Sequence, residues 1–139
     1  MEASFHETDE RWTIIGLQGR EVTMCSVDYA FTLLFWALNQ PEARLRIEQP
    51  FELTEPNGNR LVLHAETDRR DLGPALDCFG KTVARLFIDR RDGGLDLSFT
   101  DGTRLTVGSH PQFEAWDLTG PGSLKLVCMP GGGEPAMWL

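Results

Sequence analysis

The chain has 139 residues, 41% of them hydrophobic and 24% charged, and its formal net charge is −8. A domain of this length buries roughly two-thirds of the surface its unfolded chain exposes, so it folds without a metal or disulfide staple. The composition excludes global disorder, and the acidity opposes a phosphate backbone, so nucleic acid is not an expected partner.

Residues 1–11 are acidic and read as an N-terminal tail. They lack the positive start and apolar core of a secretory signal. The most apolar run, Tyr29 to Leu38, falls well short of the ~20 residues that span a bilayer, so no membrane association is expected. Three cysteines without close pairing point to reduced thiols and a cytoplasmic location.

From Leu17 onward the chain echoes itself. Gly19, Val22, Val27 and Asp28 recur 61 residues later as Gly80, Val83, Ile88 and Asp89. Phe31, Leu33 and Phe35 recur at an offset of 64 as Leu95, Leu97 and Phe99. Arg44, Leu45 and Ile47 recur at 60 as Arg104, Leu105 and Val107, and the run Glu-Gln-Pro-Phe51 answers Ser-His-Pro-Gln-Phe113. The related segments are about 17–52 and 78–114, within one domain of residues 1–139.

Each copy reads as three strands joined by tight turns. The apolar stretch Asp28 to Asn39 is compatible with a buried helix, but its echo makes Phe31 to Phe35 a strand. Between the copies, Asp71 to Phe79 reads as a short helix. Asp71 opens it, Gly80 closes it, and Leu72, Leu76 and Phe79 form the face that meets the sheet. In the second copy, Thr82 to Ile88, Leu95 to Phe99 and Thr103 to Val107 are strands. Leu95, Leu97 and Phe99 alternate with Asp96 and Ser98, the period of a half-buried strand. Asp92-Gly93-Gly94 and Asp101-Gly102 are hairpin turns. Ser123 to Cys128 is a seventh strand, followed by a loop at Pro130 to Pro135. The expected fold is mainly β, or α+β: two three-stranded β-meander halves, packed as a sandwich or partly open barrel.

Trp12-x-Ile14-x-x-Leu17-x-Gly19, the two Gly-[Arg/Lys]-x-Val entries, and the ending Glu114-Ala-Trp-Asp-Leu-Thr-Gly-Pro-Gly-Ser-Leu-Lys-Leu-Val-Cys-Met-Pro-Gly-Gly-Gly133 form one pattern. It resembles a family of small uncharacterised bacterial proteins from high-GC genomes, described only as a domain of unknown function. The resemblance implies no activity, cofactor or catalytic residue. Such proteins turn with an Asp-Gly pair where this chain has Trp36-Ala-Leu-Asn-Gln-Pro-Glu-Ala43.

Asp28 and Asp89 hold matching positions, and two carboxylates brought together do acid–base work. The plainer role, which we favour, is that each braces a turn through its own backbone. Cys25, Cys78 and Cys128 with His6, His64 and His110 lack metal-ligand spacing, so neither a metal nor another cofactor is expected. No motif assembles a nucleophile, a base and an oxyanion site, so the chain leans away from being an enzyme. Gly120 to Ser123 and Pro130 to Gly133 do not lead into a helix as a phosphate cradle does. Trp12, Trp36, Trp116 and Trp138 read first as hydrophobic caps.

Trp36 and Leu38 stand where the other copy has a tight turn. With Glu42 they are the expected partner-binding residues, since interface hot spots favour Trp. The expected function is a non-enzymatic protein-interaction module that masks a basic partner, with a homodimer as a further form. The alternatives are a barrel binding a small ligand among Phe31, Leu33, Leu95 and Leu97, and an enzyme using dispersed Asp and His residues.

Overall fold

The computed structural model describes residues 5–139. In chain order its strands are β1 (His6–Glu7), β2 (Arg11–Thr13), β3 (Glu21–Val27), β4 (Phe31–Trp36), β5 (Ala43–Ile47), β6 (Phe51–Thr54) and β7 (Arg60–Leu63). The one-turn helix α1 (Gly73–Leu76) follows. Then come β8 (Val83–Asp89), β9 (Leu95–Phe99), β10 (Arg104–Val107), β11 (Trp116–Thr119), β12 (Lys125–Val127) and β13 (Ala136–Trp138). A seven-stranded sheet runs β1-β2-β8-β9-β10-β6-β7, and a six-stranded sheet runs β13-β12-β11-β5-β4-β3. Both sheets are antiparallel, and neither closes on itself, so the architecture is a sandwich.

The three strands of each expected meander sit together, β3-β4-β5 in one sheet and β8-β9-β10 in the other. After each, the chain crosses to the opposite sheet. β6 pairs with β10, and β11 pairs with β5. The two crossings use the alternating stretches Phe51-Glu-Leu-Thr54 and Trp116-Asp-Leu-Thr119, each with its first and third residues buried. Phe113, which the sequence sets against Phe51, is an exposed loop residue, whereas Phe51 is core.

Alternation fixes the interior. Phe31, Leu33, Phe35, Leu45 and Ile47 face Leu86, Ile88, Leu95, Leu97, Phe51 and Leu53 from the opposite sheet, and all lie in one core cluster. Phe31 of β4 stacks on Phe51 of β6, with ring centroids 5.4 Å apart, joining the two layers. Phe31, Leu33, Leu95 and Leu97 are thus packed against core neighbours in an open sandwich, not arranged around the lumen of a barrel.

Three expectations need correction. The stretch set apart as a tail carries β1 and the start of β2, paired to one another and to β8; residues 1–4 lie outside the described residues. Leu72 is buried, but Leu76 and Phe79 are exposed, because α1 is a single turn that turns Ala75 and Cys78 inward instead. Asp71 makes no side-chain cap, and Leu72 holds the N-cap position. Among the described residues no helix is long and apolar enough to cross a membrane.

Trp116 is fully buried, and its indole donates to the Gly93 carbonyl at 2.9 Å, pinning the six-stranded sheet to the β8–β9 turn. Trp116→Phe leaves that carbonyl unpaired and a gap beside it. We expect a loss of about 2 kcal/mol in unfolding free energy by urea denaturation. An unchanged midpoint contradicts this packing.

Candidate functional site

Asp28 follows β3 and Asp89 ends β8, and the two carboxylates share no hydrogen-bond or ion-pair partner. Asp28 accepts from the Ala30 amide at 2.7 Å and pairs with Arg46 at 3.2 Å. The Ala30 amide and the Arg46 guanidinium hold its carboxyl below the usual range. Asp89 accepts from the Arg91 amide at 2.7 Å and the Asp92 amide at 3.3 Å. Burial pushes its carboxyl up, but the Arg91 backbone and side chain outweigh this and leave it low. Each carboxylate therefore braces its own turn. A depressed carboxyl is a poor general acid or base near neutrality.

His64, His110 and the cysteines are also structurally engaged, whereas His6 is exposed on β1. His64 Nε2 lies 3.1 Å from the Glu48 carbonyl and therefore donates to it, and Nδ1 lies 3.2 Å from Thr67 Oγ1. His110 Nδ1 accepts two amides of its own turn, from Gln112 and Phe113. Burial raises all three thiols, Cys25 to about 11 and Cys78 to about 12. Among the described residues no group of three His, Cys, Asp or Glu side chains is placed to hold a metal.

The four tryptophans divide into two kinds. Trp12 and Trp116 are core, whereas Trp36 is 47% and Trp138 54% exposed. Trp36 ends β4 on the outer face of the six-stranded sheet. Glu21 lies opposite it on β3, and next in line come Met24 opposite Leu34, then Ser26 opposite Thr32. Arg44 of β5 pairs with Leu34, so one transverse row reads Met24, Leu34, Arg44 and continues over Thr119 and Lys125 to Trp138. Leu38 is 70% exposed, and Glu42 is exposed beside it. The outer face of an antiparallel sheet ordinarily carries polar side chains. Here Met24, Leu34 and Trp36 form an apolar strip.

Beneath that strip lies a residue that the sequence does not single out. Arg20 is 3% exposed. Its Nε donates to the Gly16 carbonyl at 2.8 Å, Nη1 to the Pro41 carbonyl at 2.9 Å, and Nη2 to Gln40 Oε1 at 2.7 Å. It thereby ties the loop after Trp36 to the turn before β3. A groove opens here, walled by Trp36, Leu38, Gln18, Gln40, Glu21 and Arg20. Lys81, at the matching place before β8, instead forms an ion pair with Asp101. Burial pushes the Asp101 carboxyl up, but the Lys81 ammonium and the Thr103 amide outweigh it and hold it at about 2.

Two measurements check these assignments. A carboxyl lowered by folding adds stability above its unfolded value of 3.8, and that stability is lost as pH falls towards 2. Asp101→Asn is therefore expected to be less stable than the native chain at neutral pH, with the gap closing in acid. A gap that persists undiminished near pH 2 rules out the ion pair as its source. The raised thiols stay protonated at neutral pH, so iodoacetamide should modify the folded chain far more slowly than the urea-unfolded chain. One cysteine reacting at the unfolded rate contradicts the burial described.

The family model with the description "Family of unknown function (DUF6188)" matches residues 13–138, and the chain belongs to that family. No curated protein and no solved structure matches it.

Proposed function

We propose that this member of the DUF6188 family is a non-enzymatic protein-interaction module that binds through the apolar strip of its six-stranded sheet. The observation that carries the proposal is a contrast within the chain. β3 and β4 pair Val22 with Phe35, and after a bulge Met24 with Leu34; β8 and β9 pair Val83 with Phe99, and after a bulge Arg85 with Ser98. Glu21 faces Trp36, as Thr82 meets Thr100 through the Thr100 amide at 2.9 Å. Met24, Leu34 and Trp36 thus correspond to Arg85, Ser98 and Thr100.

We read the two halves as related copies of one unit, with the same backbone and opposite surface chemistry. The seven-stranded sheet tolerates polar residues at all three positions, so the fold itself does not demand apolar ones. Phe87, an apolar residue on the outer face of that sheet, lies under the guanidinium groups of Arg11 and Arg85 at 4.4 and 5.5 Å. An apolar strip free of such a need marks a binding surface.

Trp36 and Leu38 are the anchors of the proposed contact, since a large rigid aromatic buries area at low entropy cost. Glu21 and Glu42 supply an acidic rim. With the net charge of −8, that rim favours approach by a basic partner, an attraction that weakens with salt.

The test exchanges one surface for the other. In the triple variant Met24→Arg, Leu34→Ser and Trp36→Thr, each replacement is the residue at the corresponding site of the other sheet. The variant should keep the native unfolding midpoint within about 0.5 kcal/mol per substitution. The native chain should retain a stoichiometric protein from native lysate at low salt, and the variant should lose it. Equal capture by both chains, or capture by neither, overturns the proposal.

A further inference from the structure

We infer that Arg20 and the groove beside Trp36 form a receptor for one carboxylate carried on an apolar group: the C-terminus of a partner chain whose last residue is aliphatic. The inference rests on the interaction reading above and names the chemistry of the contact segment.

Arg20 carries a full charge into a site that is almost closed to water, and the acceptors it meets among the described residues are all neutral: two backbone carbonyls and one amide oxygen. A buried guanidinium normally finds a carboxylate, because desolvating a lone cation is costly. The corresponding cation, Lys81, has one in Asp101. The place that matches Asp101 across the two halves is Ala37, which cannot serve. Among the described residues no carboxylate pairs with Arg20, and the inference takes the missing half of the ion pair from a partner.

The position for the missing carboxylate is occupied by Gln40. Its side chain is exposed, and its Oε1 accepts from Arg20 Nη2 at the groove. A guanidinium has five N–H donors in a planar fork, and the three acceptors above use three of them. A ligand carboxylate that displaces the Gln40 amide takes two parallel N–H bonds, the stronger arrangement. The open groove has a volume of about 320 Å³, and its walls include Trp36 and Leu38, which suit an aliphatic side chain. Glu21 on the same groove repels a second negative charge. The site thus selects a single carboxylate over a phosphate or a polyacidic segment.

The test is a titration of the full ¹⁵N-labelled chain with three probes: acetyl-Ala-Leu as the free acid, the same peptide as its C-terminal amide, and hexanoate. The free acid should give saturable shifts of the Trp36 indole and Gln40 side-chain amide signals, with at least about tenfold weaker binding of the amide. A tenfold difference matches the loss of one charge-assisted hydrogen bond, about 1.4 kcal/mol. The variant Gln40→Glu supplies the carboxylate from within, so it should fold with an undiminished midpoint and lose the peptide by a similar factor. Silence with the free acid, equal binding of the amide, or unimpaired binding by Gln40→Glu overturns the inference. Hexanoate binding as tightly as the peptide assigns the slot to a small carboxylic acid and overturns the peptide end. Lysate capture that depends on Met24, Leu34 and Trp36, with the free acid silent, rejects this inference alone and leaves the interaction reading intact.

Discussion

Two short backbone segments meet where the edge strand β3 of one sheet passes β8 of the other, and their exchange of hydrogen bonds sets where everything else lies. The Gly19 amide donates to the Val83 carbonyl at 2.9 Å, and the Gly80 amide donates to the Val22 carbonyl at 2.8 Å. The Val22 amide donates to Lys81 and the Val83 amide to Arg20, each at 2.9 Å. This joins the start of β3 in one sheet to the start of β8 in the other, so the sheets are coupled by backbone as well as by core packing. Both glycines sit at positive φ, +81° and +84°, a conformation that a side chain would strain. Arg20 and Lys81 lie within the crossing, and their side chains decide the character of the two surroundings.

From that crossing β3, β4 and β5 run in one sheet with β6 and β7 in the other, whereas β8, β9 and β10 run in the second sheet with β11, β12 and β13 in the first. The inner faces must both be apolar, because burying them against one another is what holds a sandwich together. The outer faces have no such obligation and have taken different chemistry. Mostly polar and charged side chains cover one; its Phe87 is shielded by arginines, and Val62 at the β7 edge is its other exposed apolar residue. The other face keeps Met24 and Trp36 exposed with half-buried Leu34 between them, next to a groove lined by an arginine whose acceptors among the described residues are neutral. Core packing accounts for the inner faces, and the difference between the outer faces is the basis of the proposed binding surface.

Much of this was legible from residue order. Leu95-Asp-Leu-Ser-Phe99 announces itself by strict alternation between two glycine turns, and the structure keeps those bounds. Phe31 to Trp36 has no alternation visible at its polar face, since Leu34 and Trp36 are apolar too, and only the echo made it a strand. The crossing strands were hidden by brevity. Phe51-Glu-Leu-Thr54 and Trp116-Asp-Leu-Thr119 are four residues each, too short for a period to stand out. Their signal was the likeness of the two to each other, continued by Arg60-Leu-Val62 and Lys125-Leu-Val127. The exposure of Trp36 and Leu38 could be anticipated, because an insertion replaces a tight turn there. Arg20 was missed, although its counterpart Lys81 has an aspartate at Asp101 where the first half offers Ala37.

The central claim is that one sheet face is built for a partner and its counterpart is not. Site-specific photo-crosslinking in cells tests it directly, with benzoylphenylalanine placed either at Trp36 or at the corresponding Thr100. The account predicts a discrete crosslinked protein from position 36 and none from position 100. The same products from both positions, or a product from position 100 alone, would contradict it.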